Sequence, residues 1–154
     1  MTGQINPCIE TPEMTHAPHE ALPLASSLAP GLNGRIKVPG DKSMSHRALM
    51  LGAVAIGETA IKGLLEAEDV VNTARAMTAL GAETSRDAAG VWHVQGVGVA
   101  GLQSPEGPLD FGNSGTGCRL AMGAVAGSPI AATFDGDASL RSRPMRRILD
   151  PLEQ

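Results

Sequence analysis

The sequence has no tyrosine, a single tryptophan (Trp92) and two phenylalanines (Phe111 and Phe134). That scarcity, with a net charge of −4, excludes a nucleic-acid platform, which needs a basic stripe with interleaved stacking residues. Cysteine is almost as rare: Cys8 and Cys118 cannot build a disulfide framework, so a reducing, cytoplasmic compartment is the default. No run of 18 apolar residues occurs, so no segment reads as a membrane span. Residues 1–34 lack Lys and Arg but contain Glu10, Glu13 and Glu20, which excludes a secretory signal or a basic transit peptide.

What is present is globular in kind. The 154 residues are 42% apolar and 18% charged, enough for one domain burying roughly 68–70% of its extended-chain surface. Glycine reaches 19, and small residues crowd the apolar stretches, so closely packed layers are expected. The positive charge is gathered locally. Arg35, Lys37, Lys42 and Arg47 form one group, and Arg141, Arg143, Arg146 and Arg147 another. Basic clusters on an acidic chain suit a small anionic ligand better than a polymer, although a solvated helix face would give the same pattern at 141–147.

Residues 1–30 hold Pro7, Pro12, Pro18, Pro23 and Pro30 and read as a disordered leader. His16 and His19 lie there without further ligands nearby, which is too little for a metal site. Residues 31–154 form the folded region. The periodicities predict a strand at Arg35–Val38, a helix at Ser45–Ala55, a strand at Thr59–Leu64 and a helix at Asp69–Leu80 closed by Gly81. Two strands then follow, Ala82–Arg86 and Val91–Gln95, around an Asp87–Gly90 turn. This is a β-α-β-α-β-β unit spanning about 34–100. The order restarts over about 105–154, with a strand at Leu109–Phe111, a helix at Gly117–Ala126, a strand at Ile130–Phe134 and a helix from Pro144 onward. Gly52-Ala53-Val54-Ala55 recurs as Gly123-Ala124-Val125-Ala126, and Ser43 matches Ser114 at the same spacing, which indicates an internal repeat. The fold class is α/β (α+β), built from repeated units, and the second unit lacks its two closing strands, so the chain is expected to be part of a longer protein.

Three segments carry chemistry. In Val38-Pro39-Gly40-Asp41-Lys42-Ser43-Met44-Ser45-His46-Arg47, Pro39-Gly40 ends a strand and Ser43 or Ser45 can cap the helix behind it. Free N–H groups and the positive helix end then favour an anion. Lys42 adds a mobile charge and Arg47 a planar fork for phosphate or carboxylate. His46 reads as a packing or capping residue. In Asp110-Phe111-Gly112-Asn113-Ser114-Gly115-Thr116-Gly117-Cys118-Arg119, three glycines within six residues let backbone approach a ligand. Neither a P-loop nor Gly-x-Gly-x-x-Gly is present, and Cys118 has no base partner in the sequence, so it reads as a small buried side chain. In the third segment, Asp135 and Asp137 flank Gly136 ahead of Arg141 and Arg143-Pro144-Met145. They suit a turn and a helix cap better than a metal pair.

In this order the three segments resemble the 5-enolpyruvylshikimate-3-phosphate synthases, from about Gly34 to Gln154. Pro39-Gly40-Asp41-Lys42-Ser43 with Ser45-His46-Arg47 carries the likeness most specifically, and Gly112-Asn113 through Arg119 with Arg143-Pro144-Met145 supports it. The related UDP-N-acetylglucosamine enolpyruvyl transferases have Lys-Asn where this chain has Lys42-Ser43, and their catalytic cysteine lies in a different loop. The resemblance implies the inside-out α/β barrel of enolpyruvyl transferases, in two domains of three repeats each, with substrates in the cleft between. It implies transfer of the enolpyruvyl group of phosphoenolpyruvate to the 5-hydroxyl of shikimate 3-phosphate, with no metal and no organic cofactor. Carried over by motif, Lys42 would be catalytic and touch both substrates, while Ser43 and Arg47 would hold shikimate 3-phosphate. Gly115 and Arg143 would line the phosphoenolpyruvate site, supported by Asn113, Thr116 and Arg119. Glyphosate occupies that site in the family, so a side chain at Gly115 is expected to exclude it. Ser114 stands where alanine is common. The family's later substrate-binding and catalytic residues lie beyond Gln154, so the chain alone is expected to be inactive. It would act with the missing carboxy-terminal part, or otherwise be half of a split enzyme or a non-catalytic anion-binding module.

Overall fold

The computed structural model describes residues 24–28, 31 and 33–154. The chain divides into two compact units, residues 1–35 and 36–154. In the first, residues 24–28, 31 and 33–35 form neither helix nor strand, and Leu24 and Leu28 are fully exposed. Most of the proposed leader, with Cys8, His16 and His19, lies outside the described residues.

The second unit opens with a departure from expectation. Residues 36–38 are not a strand; Ile36 and Val38 are exposed, at 88% and 69%. A strand exists only where a neighbour accepts its hydrogen bonds, and among the described residues nothing pairs with this stretch. Order begins at helix α1 (Lys42–Val54), three residues earlier than periodicity indicates. The reason is the cap. Asp41, not Ser43 or Ser45, takes the N-cap position and accepts from the Met44 N–H at 2.7 Å, a charge-assisted bond at the positive end of the helix.

Strand β1 (Ile56–Ile61), helix α2 (Glu68–Ala79) and strands β2 (Glu83–Arg86) and β3 (Trp92–Val97) follow, so the expected β-α-β-α-β-β order is observed without its first strand. The sheet is antiparallel in the order β1-β3-β2, with Thr59 opposite Val94 and Thr84 opposite Val94 on the other side. β1 is shifted towards the N-terminus of its predicted span because Gly63, at φ +74°, turns the chain away from the sheet. α2 ends as the Gly81 signal indicates: Gly81 has φ +106°, its N–H donates to the Thr78 carbonyl at 3.0 Å, and the Ala82 N–H donates to Met77 at 3.1 Å. The Asp87–Gly90 turn likewise forms, closed by Asp87 N–H to Val91 carbonyl at 2.9 Å.

α1 lies against the sheet at close range. A Cβ on Gly96 of β3 would stand 2.2 Å from the Gly52 carbonyl oxygen, so only hydrogen fits where strand and helix backbones meet. Leu49, Val70, Leu80 and Val94 are completely buried between helices and sheet. Each contributes about 1.5–3 kcal/mol relative to exposure.

After a 3-10 turn at Val99–Gly101, the second repeat begins with β4 (Leu109–Asp110), α3 (Gly115–Val125) and β5 (Phe134–Asp135). β4 and β5 pair in parallel over two residues, Leu109 with Phe134 and Asp110 with Asp135. Residues 130–133 are outside β5, although the Leu109 N–H of β4 donates to the Thr133 carbonyl at 2.8 Å. Phe111 and Phe134 stack with ring centroids 6.0 Å apart. A short helix absent from the sequence reading, α4 (Ala138–Arg141), follows, capped by Asp137. α5 (Arg146–Leu152) starts two residues beyond Pro144. Gly123, the repeat partner of Gly52, faces open space within this chain.

Candidate anion-binding site at three helix ends

Three helices bring their N-termini together. Lys42 in the first turn of α1 donates to the Asp69 carboxylate in the first turn of α2, with Nζ to Oδ2 at 2.8 Å. One turn further along both helices, His46 Nδ1 lies 2.8 Å from Thr73 Oγ1. Two contacts at the same spacing of 27 residues make α1 and α2 parallel neighbours. α3 joins at the same level: a Cβ on Gly117 would stand 2.7 Å from Thr73 Oγ1 and 3.2 Å from His46 Cε1. The glycine turn ahead of α3 also touches α2, since a Cβ on Gly112 would be 2.8 Å from Asn72 Nδ2. Parallel helix dipoles with adjacent positive ends favour anions at this face.

The α1 junction is held by backbone and hydroxyl contacts. Gly40 packs so tightly on the 63–65 loop that a Cβ would lie 2.1 Å from the Gly63 carbonyl oxygen. Ser45 Oγ donates to the Asp41 carbonyl at 2.7 Å and accepts from the Leu65 N–H at 3.0 Å, tying the start of α1 to the approach to α2. Lys42, Ser43 and Arg47 are exposed on the first turns, and Arg47 folds back to donate to the Ser43 carbonyl at 3.0 Å.

The α3 junction gathers the second cationic group. Ser114 caps the helix, accepting from the Gly117 N–H at 3.2 Å. Asn113 donates to Asp137 at 2.7 Å and accepts from Arg143 Nη2 through its side-chain oxygen. Arg143 is thereby folded over Gly115: a Cβ there would be 2.6 Å from Arg143 Nη1 and 3.2 Å from Arg119 Nη1. Asn113, Gly115, Arg119 and Arg143, separated by up to 30 positions, form one cluster, with Thr116 exposed at its edge. It meets the Lys42 group through the His46–Gly117 contact.

Arg141 and the two aspartates ahead of it are committed elsewhere. Arg141 makes two 2.7 Å bonds to Asp135, which hold that carboxyl at about 2, well below its ordinary 3.8, helped by the Gly136 N–H. Asp137 is an acceptor for the Leu140 N–H at 2.7 Å, so the two aspartates serve a turn and a cap, as their spacing suggests. A cleft of about 250 Å³ lies between α3, β5 and α4, lined by Cys118, Met122, Phe134, Leu140 and Met145. Asp135 also lines it and pairs with its one cation, Arg141, so it does not suit an anionic metabolite. Burial raises the pKa of Cys118, which keeps the thiol protonated.

Two contributors escaped the sequence reading. Asp69 and Thr73 hold Lys42 and His46, yet in the sequence they are only an acidic first-turn residue and a helix-face threonine. Their partners lie 27 positions away, and no local pattern reveals them.

The motif spacing, the fold and these helix ends coincide with one known family. The family model for EPSP synthase (3-phosphoshikimate 1-carboxyvinyltransferase) matches residues 29–154. The chain belongs to the EPSP synthase family. It is 71% identical over 140 residues to a 3-phosphoshikimate 1-carboxyvinyltransferase of Afipia carboxidovorans, covering 91% of this chain and 31% of the relative. It is also 71% identical over 141 residues to one from Rhodopseudomonas palustris strain HaA2, covering 92% of this chain and 32% of that protein. Among solved structures, EPSP synthase from Acinetobacter baumannii superposes with a TM-score of 0.73 at 43% identity, over 78% of this chain and 27% of the other. The chain therefore spans just under a third of the length of these family members, and the mixed helix-and-sheet architecture is that of part of an enolpyruvyl transferase fold. Among the described residues, no helix is long and apolar enough to cross a membrane.

Proposed function

We propose that this chain supplies one anion-binding wall of an enzyme that transfers the enolpyruvyl group of phosphoenolpyruvate to the 5-hydroxyl of shikimate 3-phosphate. The observation that carries the reading is Gly115 lying beneath two guanidinium groups, Arg119 and Arg143, beside the helix that presents Lys42, Ser43 and Arg47. Ser43 and Arg47 hold the shikimate phosphate. Gly115 and Arg143 receive phosphoenolpyruvate, with Asn113, Thr116 and Arg119 supporting them, and Lys42 reaches both ligands. Two such substrates bring about five or six negative charges into one place, and preorganised cations and helix ends offset their repulsion.

The 5-hydroxyl adds across the enol double bond: its oxygen bonds to the central carbon and a proton, balancing the one the hydroxyl gives up, goes to the terminal carbon, giving a tetrahedral adduct. Cleavage of the bond from the central carbon to the phosphate oxygen, with loss of one proton from the methyl carbon, re-forms the double bond as an enol ether and releases phosphate. Lys42 serves both steps by neutralising the phosphate that departs. Its present partner, Asp69, must release it or share it when the anions arrive. Residues 31–154 act as the incomplete repeat region and residues 1–30 as a leader, in a cytoplasmic protein that takes small-molecule substrates and joins with the remaining two thirds of the family's length.

The test joins this chain to the remaining portion of the Afipia relative and follows phosphate release from both substrates. Turnover that disappears with Lys42→Ala supports the assignment. A correctly folded chimera that binds shikimate 3-phosphate but never releases phosphate favours a non-catalytic anion-binding module instead.

A further inference from the structure

His46 is a completely buried ionisable side chain that the assignment above leaves unused. Its surroundings fix its chemistry. Thr73 Oγ1 lies 3.2 Å from the Asp69 carbonyl, an acceptor for its hydroxyl proton; in that arrangement the oxygen accepts from His46 Nδ1, 2.8 Å away. Nε2 is then the unprotonated nitrogen, and it is buried with no hydrogen-bond partner. Burial lowers the pKa of the ring, with Lys42 and Arg47 of the same helix acting in the same sense and Asp69 of α2 against them; from α3, the titratable neighbours of the contacting Gly117 are Cys118 and Arg119. These influences together favour the neutral ring. An unpaired buried lone pair is costly, so a side chain needed only to fill space would be better apolar. The other buried polar atom without a partner among the described residues is Arg119 Nε, on the turn that His46 touches.

The position explains what the ring does. His46 bonds to Thr73 of α2, and Thr73 sits one turn beyond Asp69, which holds Lys42. On its other side the ring abuts Gly117 of α3, two residues from Gly115. The imidazole is therefore the spacer between the Lys42 junction and the Gly115 turn. We infer that His46 is a positioning residue, locked as the Nδ1–H tautomer by Thr73, that sets the separation between the two halves of the phosphoenolpyruvate subsite. It touches no substrate. The shikimate 3-phosphate contacts Ser43 and Arg47 both lie on α1, so they move as one body and tolerate a change in that spacing. The phosphoenolpyruvate contacts are split between α1 and the α3 turn and do not. This rests on the reading of Lys42 and Gly115 as two sides of one site.

Two measurements test it. In the 154-residue chain, long-range nitrogen-15 spectra of His46 are expected to show a protonated Nδ1 and a bare Nε2 from pH 6 to 8; an Nε2–H tautomer or an imidazolium overturns the proposal. In the chimera with the Afipia remainder, His46→Leu is expected to raise the KM for phosphoenolpyruvate roughly tenfold while that for shikimate 3-phosphate stays within about twofold. His46→Asn, whose amide can donate as Nδ1 does, is expected to recover most of the loss. Equal changes in both KM values, no change in either, or a failure of Asn to outperform Leu overturns it. An inactive wild-type chimera with the Nδ1–H tautomer intact would instead count against the functional assignment.

Discussion

Gly115 and Gly117 are two residues apart in one helix turn, yet a methyl group on each should do different things. A Cβ on Gly117 would lie 2.7 Å from both Ser114 Oγ and Thr73 Oγ1, so each oxygen must retreat about 0.7 Å to reach the ordinary limit of 3.4 Å. Neither can do so cheaply. Ser114 is 1% exposed and caps α3; Thr73 is fully buried between His46 and the Asp69 carbonyl. Overpacking of this kind costs about 1–3 kcal/mol and a damaged cap about 0.5–2 kcal/mol, against a helix-propensity gain of about 0.5–1 kcal/mol. A net loss of about 2 kcal/mol for Gly117→Ala corresponds to a fall in Tm of roughly 8 °C for a body of this size. At Gly115 the obstacles are the guanidinium ends of Arg143 and Arg119, which can swing away. Gly115→Ala should therefore leave Tm within about 2 °C. Thermal melts of the chain followed by far-ultraviolet circular dichroism give both values. Equal shifts for the two variants, or a Gly117→Ala protein as stable as the parent, would refute the packing scheme that joins the three helix ends.

Other consequences can be measured separately. In the completed enzyme, Gly115→Ala is expected to weaken glyphosate inhibition far more than it raises the phosphoenolpyruvate KM; parallel changes in inhibition constant and KM would contradict this. Asp41→Ala removes the cap of α1 and should cost about 1 kcal/mol in urea-unfolding free energy, whereas a cost near zero would return capping to the serines. Lys42→Ala breaks a half-exposed ion pair and should change stability by less than about 1 kcal/mol while abolishing turnover of the chimera; retained turnover would remove Lys42 from the mechanism. Because Arg141 depresses the Asp135 pKa to about 2, that pair stabilises the fold fully above pH 3.8 and is lost as pH falls through about 2. Acid titration of Asp135→Asn should then lack that limb, and an unchanged profile would show that the pair is energetically silent.

The local events were readable in the sequence because each depends on a few neighbouring residues. Gly81 had to close α2, since only glycine adopts φ +106° without strain, and the Asp87–Gly90 turn follows from the same logic. The glycine turn before α3 and the buried state of Cys118 were legible in the same way. So was the family, through motifs confined to short segments. Where two local signals competed, only structure could choose. Ser43 and Ser45 were the caps expected, but Asp41 takes the role because its carboxylate meets the positive helix end while Ser45 is recruited by Leu65. Residues 36–38 have strand-like composition but no partner among the described residues, and the four-residue α4 is too short to leave a periodicity.

The amino-acid order by itself determined the turns at Gly81 and Asp87–Gly90 and the chemical character of Lys42, Arg47, Gly115 and Arg143. Tertiary packing decided which of them meet. Asp69 reaches Lys42 and Arg143 reaches Asn113 and Gly115 across 27 to 30 positions because parallel helices share a core, and that alignment comes from burial of side chains far from the site. Hydrophobic burial has no direction of its own, so no local rule could have announced those pairs; the shape of the packed helices did.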